Sequence, residues 1–194
     1  EVAGGSEILP YQALSDYVRN SEFISVSTCY CRHYGELLGN PCDKPKQNCM
    51  AFGPNAKFAD ERGYGRLVSK EEALRVLKEA EDAGLVHMSS NTSKYIDFIC
   101  NCCPCCCQTM PILIKGGIRV VDPSRYRAEI KPDRCTGCGT CHDRCYFSAI
   151  AWENGEGSVS RVEAPKCMGC GLCRVTCPEE AIELVEVRPE SFVP

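Results

Sequence analysis

The sequence lacks several features that would assign it to a common functional class. No apolar run reaches about 18 residues, and the most apolar central stretch, 111–121, is broken by a lysine and two glycines, so no transmembrane helix is expected. It has no signal-peptide pattern, no glycine-rich phosphate loop, no Ser/His/Asp set and no paired catalytic carboxylates. Histidine is scarce, and His33, His87 and His142 are interpreted as surface or packing residues rather than ligands.

Positive charge is also in short supply. The chain has 22 Lys and Arg residues against 26 Asp and Glu residues, which gives a formal net charge of −4. A surface that binds phosphates should be basic. The segment 70–83, a predicted helix, instead carries more acidic than basic side chains. Nucleic acid is therefore not an expected partner.

Apolar side chains other than cysteine are few for this length. Hydrophobic residues make up 44% of the chain, but 18 of them are cysteines. Something besides apolar burial must therefore help to hold the fold. A disulfide framework and a set of metal sites are the two candidates, and the spacing of the cysteines decides between them.

The last third of the chain contains an internal repeat. The segments "CTGCGTCHDRCYFSAI" (135–150) and "CMGCGLCRVTCPEEAI" (167–182) align without a gap, and both have the spacing Cys-x-x-Cys-x-x-Cys-x-x-x-Cys before Ala-Ile. Three thiols so spaced can bind three corners of a [4Fe–4S] cube, and the intervening glycines let backbone N–H groups approach the sulfurs. A zinc knuckle would use two Cys-x-x-Cys pairs instead. The repeat therefore predicts two [4Fe–4S] clusters.

This repeat resembles the bacterial two-cluster ferredoxin family over about residues 127–190. The family has proline after the fourth cysteine of each run; Pro178 fits this pattern and Tyr146 departs from it. The resemblance implies crossed ligation, in which the fourth cysteine of one run binds the cluster of the other. It assigns one cluster to Cys135, Cys138, Cys141 and Cys177, and the other to Cys167, Cys170, Cys173 and Cys145.

Ten further cysteines precede the repeat, and their spacing is not that of a ferredoxin. The first four, with the spacing C-x-C-x₁₀-C-x₆-C, are Cys29, Cys31, Cys42 and Cys49. In an extended segment, residues i and i+2 lie about 6.6 Å apart on one face. Cys29 and Cys31 are therefore expected to bind two corners of one cube, with Cys42 and Cys49 returning to complete it.

The other six cysteines stand in "CNCCPCCC" (100–107). Strand alternation would direct them to two faces, although Pro104 must bend the segment. One face would carry Cys100, Cys102 and Cys106, and the other Cys103, Cys105 and Cys107. We expect a metal-binding lid that folds back onto the 29–49 segment and serves more than one metal site, or one site of unusual nuclearity.

The ten thiols leave alternatives open. They suffice for two four-thiolate clusters with two thiols left over, or for one cluster and a six-thiol loop. A zinc site or a disulfide could also take the place of a cluster. Over about residues 24–108 the chain resembles a poorly characterised Cys-rich 4Fe–4S binding domain of anaerobic bacteria and archaea, on its Cys-x-Cys-Arg-His segment and "ICNCC-x-CCC" loop. The resemblance implies metal binding and an anaerobic setting. The number of thiols predicts at least one further Fe–S cluster in this half, and Fe–S chemistry favours the cytoplasm.

The remaining patterns predict an α+β protein. Helices are expected over 11–20 and after a capping box formed by Ser69 and Glu72. "LVHM" and "YIDFI" read as two strands, and helix plus hairpin is a winged-helix-like outline. The predicted domains are a small Cys-rich domain (1–110), a linker (111–126) and a ferredoxin-like domain with two clusters (127–194).

The leading functional hypothesis is a polyferredoxin-like subunit that relays single electrons to or from a redox partner protein or a larger oxidoreductase complex. A reductase subunit whose N-terminal Cys-rich cluster is itself catalytic is the alternative, because the chain has more thiols than cubanes need. A redox-sensing regulator built on the winged-helix outline is disfavoured by the acidic predicted helix.

Overall fold

The computed structural model describes residues 6–90, 96–118, 120–153 and 158–189, and it has an α+β architecture. No helix within these ranges is long and apolar enough to cross a membrane. The helices are α1 (Tyr11–Asn20), α2 (Tyr30–Leu37), α3 (Gly53–Glu61), α4 (Lys70–Asp82), α5 (Met110–Ile114), α6 (Thr140–Arg144) and α7 (Leu172–Val175). The strands are β1 (Ser6–Ile8), β2 (Ile24–Thr28), β3 (Gln47–Phe52), β4 (Gly65–Leu67), β5 (Val86–Ser90), β6 (Phe98–Cys102), β7 (Val121–Asp122), β8 (Tyr126–Ile130), β9 (Ile150–Ala151), β10 (Arg161–Val162) and β11 (Ile182–Glu186).

A seven-stranded sheet organises the chain ahead of the repeat. Its strand order is β4-β2-β3-β6-β5-β1-β7. All neighbouring pairs are antiparallel except β1 and β7, which are parallel. The order brings β2, β3 and β6 side by side although they are far apart in sequence. The cysteines that follow or belong to these strands therefore meet at one end of the sheet.

Helix α4 covers this sheet together with α1, and its predicted start is confirmed. The Ser69 side chain caps the helix by accepting a hydrogen bond from the Glu72 N–H at 3.2 Å. Ala73 and Leu77 are fully buried on its inner face, as the helical spacing of apolar residues requires. Gly84 follows the helix with a φ of +81°, a conformation that favours glycine at a helix C-terminus.

The hairpin after α4 is confirmed, but the winged-helix-like outline is not. Strands β5 and β6 pair antiparallel, with Val86 opposite Cys102. The second strand begins at Phe98, three residues after the start of the predicted "YIDFI" strand, and runs on into the cysteine-rich segment. Both strands lie inside the seven-stranded sheet, since β6 also pairs with β3 and β5 with β1. The hairpin is thus the middle of a larger sheet and not part of a separate helix-plus-hairpin unit.

Residues 111–126, expected to be a linker, contain regular structure. They include most of α5 and all of β7, whose Val121 pairs with Ser6 of β1. Val121 and Met110 are buried in a core that also contains Met168 and Leu172 of the repeat. The chain therefore passes from one half to the other through a shared apolar core, and the domain boundaries themselves stay a prediction.

The repeat forms two small two-stranded sheets, β8–β11 and β9–β10, around the short helices α6 and α7. The sequence between the two runs predicts a further hairpin with a turn near Asn154. Its strands are present as β9–β10, and the turn lies outside the described residues. The duplication extends to the backbone: Ser148 and Glu180, each three positions after the fourth cysteine of its run, have φ values of 49° and 48°. Two copies of one local fold thus stand in tandem.

Candidate metal centres

One cavity in the repeat is lined by Cys135, Cys138 and Cys141 of the first run together with Cys177 of the second. The first three come from a tight loop that precedes and enters α6. Gly139, with a φ of +76°, caps that helix. Cys177 reaches the cavity from the end of the second run. The cavity walls therefore contain the four cysteines that crossed ligation requires.

The second cavity has the complementary membership. It is lined by Cys167, Cys170 and Cys173 of the second run and by Cys145 of the first. Burial raises the pKa of the Cys170 thiol to about 12, so without a bound cation this group stays protonated at neutral pH. Four thiols facing one enclosed space are suited to a cationic cluster, because coordination deprotonates thiols.

Backbone N–H groups of the repeat point at the two crossing sulfurs. The Ala149 N–H donates to Cys145 Sγ and the Ala181 N–H donates to Cys177 Sγ, both at 3.3 Å. The donor lies four residues after the acceptor in both copies, which gives the Ala-Ile dipeptide of each run a structural role. Hydrogen bonds of this kind stabilise a thiolate and are among the factors that set a cluster's reduction potential.

Tyr146, which stands where the ferredoxin pattern has proline, lies at the junction between the two halves. Its hydroxyl is next to Gly84 at the end of α4, so a Cβ on that glycine would come within 3.1 Å of it. Burial raises the pKa of Tyr146, and the nearby thiols of Cys103, Cys105 and Cys170 raise it further. The departure from the pattern thus places an aromatic side chain between a repeat cavity and the N-terminal cysteines.

A third cavity lies in the N-terminal half, and we call it the six-thiol cavity. Its volume is about 80 Å³, larger than the volumes of about 20 and 10 Å³ of the two repeat cavities. Seven cysteines line it. One is Cys103, which a second set of thiols (below) shares, and the other six are Cys29, Cys31, Cys49, Cys100, Cys102 and Cys107. It is thus larger than either repeat cavity and richer in thiols.

The sheet register explains how distant cysteines meet there. Met50 of β3 pairs with Ile99 of β6, so the next residues, Cys49 and Cys100, arrive together at the same end of the sheet. On the other side of β3, its neighbour β2 ends one residue before Cys29. The cavity is therefore assembled by strand pairing and not by a local loop.

The expected extended geometry of Cys29 and Cys31 is wrong. Cys29 is the N-cap of α2 and Cys31 lies in the first turn of that helix. The expected grouping with Cys42 is also not found, because Cys42 lies with other thiols (below) while Cys49 lines the six-thiol cavity. Helix α2 begins directly after Cys29. The first turn of this helix therefore brings Cys29 and Cys31 to the cavity.

Two thiols of this cavity are held toward the thiolate form. Hydrogen bonding from the Cys102 thiol lowers the pKa of Cys107 to about 6. The N–H groups of Thr109 and Met110 add to this effect, since they donate to Cys107 Sγ at 3.4 and 3.5 Å. Hydrogen bonds from Cys102 and Cys49 likewise hold the pKa of Cys100 well below its usual value. Such thiols are ready metal ligands.

Arg32 lies buried among the N-terminal thiols, with 1% of its surface exposed. It donates to the Asn101 carbonyl at 3.0 Å, to the Asn48 side chain, and to Cys103 Sγ at 3.7 Å. Within the described ranges no ion pair joins it to a carboxylate. A buried charge needs an opposite charge nearby, so the thiols around Arg32 are the candidates for its counter-ions.

Burial alone would lower the pKa of Arg32, but charge on Cys29, Cys103 and Cys49 more than compensates and raises it. The guanidinium therefore favours thiolates at these positions. Sequence reasoning missed this residue and its asparagine partners; the one available signal was the arginine directly after Cys-x-Cys.

The remaining thiols form a second N-terminal set, which we call the four-thiol group. All four Sγ atoms lie within 4.8 Å of one another. Cys42 Sγ lies 3.5 Å from Cys105 Sγ and 3.9 Å from Cys103 Sγ. The members are Cys42, Cys103, Cys105 and Cys106.

The predicted division of "CNCCPCCC" by strand parity is correct for four of the six thiols and wrong for Cys106 and Cys107. Strand β6 ends at Cys102, and residues 104–106 form a turn. The turn reverses the chain, so that Cys106 joins the four-thiol group and Cys107 points to the six-thiol cavity. The loop contributes to both sets, and none of the eighteen cysteines forms a disulfide.

Comparison with known proteins identifies one part of the chain. A search of curated proteins finds no significant match. Residues 128–184 match the family model described as a 4Fe–4S dicluster domain. This range covers both cysteine runs and both cavities that they line. The chain therefore contains a ferredoxin-type 4Fe–4S domain.

Proposed function

We propose that this protein is an iron–sulfur electron-transfer subunit that relays single electrons to or from a partner oxidoreductase in an anaerobe. The observation that carries the proposal is the ferredoxin-type domain at residues 128–184, with two cavities that each contain four cysteines. In such a protein the bound clusters supply the one-electron chemistry, and the polypeptide sets their surroundings.

The proposed ligands of the two repeat clusters follow the crossed pattern. One set is Cys135, Cys138, Cys141 and Cys177; the other is Cys145, Cys167, Cys170 and Cys173. The lining of the two cavities supports this assignment. The matching N–H donors of Ala149 and Ala181 also support it, because they stabilise charge on the two crossing sulfurs.

We assign at least one further Fe–S cluster to the six-thiol cavity. Its volume exceeds those of the two repeat cavities, for which clusters are proposed. Arg32 supports the assignment, because a buried guanidinium without a carboxylate partner in the described ranges requires anionic neighbours. Iron-bound cysteines are thiolates and would provide that charge. The shared core around Met110 and Leu172 connects this half to the repeat.

The partner is expected to be a redox protein with a basic docking surface. The chain carries a formal charge of −4 before any cluster is counted, and opposite charge speeds the association of redox partners. All proposed ligands of the repeat clusters are cysteines, which favours the negative part of the range from about −700 to +450 mV. The proposed setting is a reducing compartment, the cytoplasm.

Three single variants test the crossed assignment, each examined by EPR on anaerobically reduced protein. Cys138→Ala changes one cluster and Cys170→Ala the other, so the two serve as spectroscopic references. Cys177→Ala should reproduce the change caused by Cys138→Ala. A spectrum that matches Cys170→Ala instead would refute the crossing, and a wild-type protein without acid-labile sulfide would refute the proposed function altogether.

A second candidate function is a reductase subunit whose catalytic cluster lies in the six-thiol cavity. The favouring observation is that six cysteines line this cavity besides Cys103, which also belongs to the four-thiol group. Six are two more than a cubane binds. A catalytic cluster needs an iron with an open position. Carbon monoxide or cyanide should then alter the spectrum of the N-terminal iron and leave the repeat clusters unchanged. No response to either ligand would leave electron relay as the function.

A further inference from the structure

The four-thiol group differs from every other cysteine set in the protein by its compactness. Its four sulfurs are mutually within 4.8 Å. Across the described ranges no other set of three or more His, Cys, Asp or Glu side chains has its ligand atoms so close together. The eight cysteines of the ferredoxin-type domain line two cavities but do not reach this spacing.

This spacing suits a single ion. A tetrahedral ion with metal–sulfur bonds of about 2.3 Å holds its sulfurs about 3.8 Å apart. The contacts of Cys42 Sγ with Cys105 Sγ at 3.5 Å and with Cys103 Sγ at 3.9 Å lie on either side of that value. In a cubane each thiolate binds a different iron at a different corner, so the thiolates must stand farther apart. The sulfurs of the four-thiol group are therefore too close together to bind the corners of a cubane.

The donor set defines the chemical class of the ion. Four sulfur donors in a tetrahedral arrangement are typical of zinc or iron. Four thiolates around a divalent ion carry a net charge of about −2, and the Arg32 guanidinium at 3.7 Å from Cys103 Sγ reduces it. We propose that Cys42, Cys103, Cys105 and Cys106 bind one tetrahedral metal ion, zinc or iron, separately from any Fe–S cluster.

The ion would join two segments that are distant in sequence. Cys42 belongs to the connection between α2 and β3, while the other three ligands belong to the turn after β6, 61 or more residues later. Cys103 also reaches the wall of the six-thiol cavity. A bound ion would thus fix the 104–106 turn beside the six-thiol cavity, close to Tyr146 of the repeat. Tetrathiolate sites of this kind stabilise folds directly.

The test measures metals and acid-labile sulfide on the same samples of full-length protein. The variants are Cys42→Ser/Cys105→Ser for the four-thiol group and Cys138→Ser as the matched control, since Cys105 and Cys138 are both exposed thiols. The double variant should lose about one metal ion per chain and no sulfide. Elemental analysis of the lost metal distinguishes zinc from iron. The control should lose iron and sulfide together, as expected for a cluster ligand.

A conservative variant separates loss of the site from loss of the fold. Cys105→His keeps a ligand that zinc and iron both accept, so it should retain the ion that Cys105→Ala loses, with equal sulfide in both. A parallel fall of sulfide and metal in the double variant would overturn the proposal, and so would an unchanged metal content. Neither result would contradict the proposed electron-transfer function, which is refuted instead by a wild-type protein that contains no acid-labile sulfide.

Discussion

In the ferredoxin-type repeat, each cavity takes three of its four cysteines from a single eleven-residue run. The six-thiol cavity instead takes its cysteines from the start of α2, from β3, from β6 and from the segment after the turn. The repeat therefore forms its sites by local backbone turns, whereas the N-terminal half forms them by strand pairing. The repeat sites should be sensitive to changes in the loop backbone. The six-thiol cavity should be sensitive to the loss of side-chain contacts that hold β3, β6 and the start of α2 together.

The largest expected effect concerns Arg32, the buried cation of the N-terminal half. Arg32→Met removes three hydrogen bonds and the positive charge that faces Cys29, Cys49 and Cys103. Removing one partner of a buried charge pair costs about 3–5 kcal/mol. We expect loss of N-terminal iron, with the sulfide of the repeat retained, and a lower denaturation midpoint in guanidinium.

Arg75→Met is the matched control for this change. Arg75 is an exposed arginine of α4 that makes ion pairs of 3.9 Å with Glu72 and Glu79. Exposed pairs contribute about 0–1 kcal/mol, so the control should keep its iron and its midpoint. If Arg32→Met kept full iron content, the idea that the guanidinium balances metal-bound thiolates would be wrong.

The next effect tests the backbone turns of the repeat. Gly169 has a φ of +68°, and a Cβ there would lie 2.2 Å from the Tyr126 carbonyl oxygen. Gly169→Ala therefore combines a left-handed backbone, which costs an L-residue about 1–2 kcal/mol, with a collision against backbone. The expected result is destabilisation beyond that figure and loss of iron from the repeat, measured by urea unfolding and by iron and sulfide content.

Gly63→Ala isolates the conformational part of this cost. Gly63 has a φ of +70°, yet a Cβ there would meet nothing within 4 Å. It should lose about 1–2 kcal/mol and no iron. Equal losses in the two variants would mean that the close packing of Gly169 against β8 contributes nothing to the repeat site.

The contrast between local and sheet-borne sites also explains what the sequence could predict. The lining of the two repeat cavities agrees with the crossing that the ferredoxin resemblance implies. Short-range spacing and glycine positions account for the three cysteines that each run supplies to its own cavity, while the fourth follows only from the resemblance. The N-terminal grouping was not predictable in the same way. Local spacing groups Cys42 with Cys49 and Cys106 with Cys100, because neither the strand order nor the turn after β6 is visible in that spacing.

The fold follows the same rule. Helix α4 and its cap at Ser69 could be predicted because capping and apolar periodicity act within one or two turns. The β5–β6 hairpin was also found, but its place inside a seven-stranded sheet was not. Short strands such as β1 and β7 carry two or three residues each, too few for a periodic signal, and they add to the sheet only through long-range pairing.

The smallest expected effect compares two carboxylates, one from each half. Glu7 of β1 lies beside Asp122 of β7. Burial, and then the charge of Asp122, raise the pKa of Glu7 to about 7. Lys131, and then Arg134, instead lower the pKa of the exposed Glu183 in the repeat. A raised carboxyl pKa means that the folded protein binds a proton that the unfolded chain releases at lower pH.

The contribution of Glu7 to stability is therefore present at low pH and is lost as the pH rises from about 4.5 to about 7. Glu7→Gln should flatten the pH dependence of the urea midpoint between about pH 4.5 and pH 7. It should add on the order of 1 kcal/mol at the upper end, a figure kept small because solvent screens this partly exposed carboxylate. Glu183 acts in the opposite direction, since its favourable charge is lost only as the pH falls below that window. Glu183→Gln should accordingly leave the pH dependence of the urea midpoint unchanged in this range. If Glu183→Gln altered that dependence and Glu7→Gln did not, Glu7 would not titrate in this range.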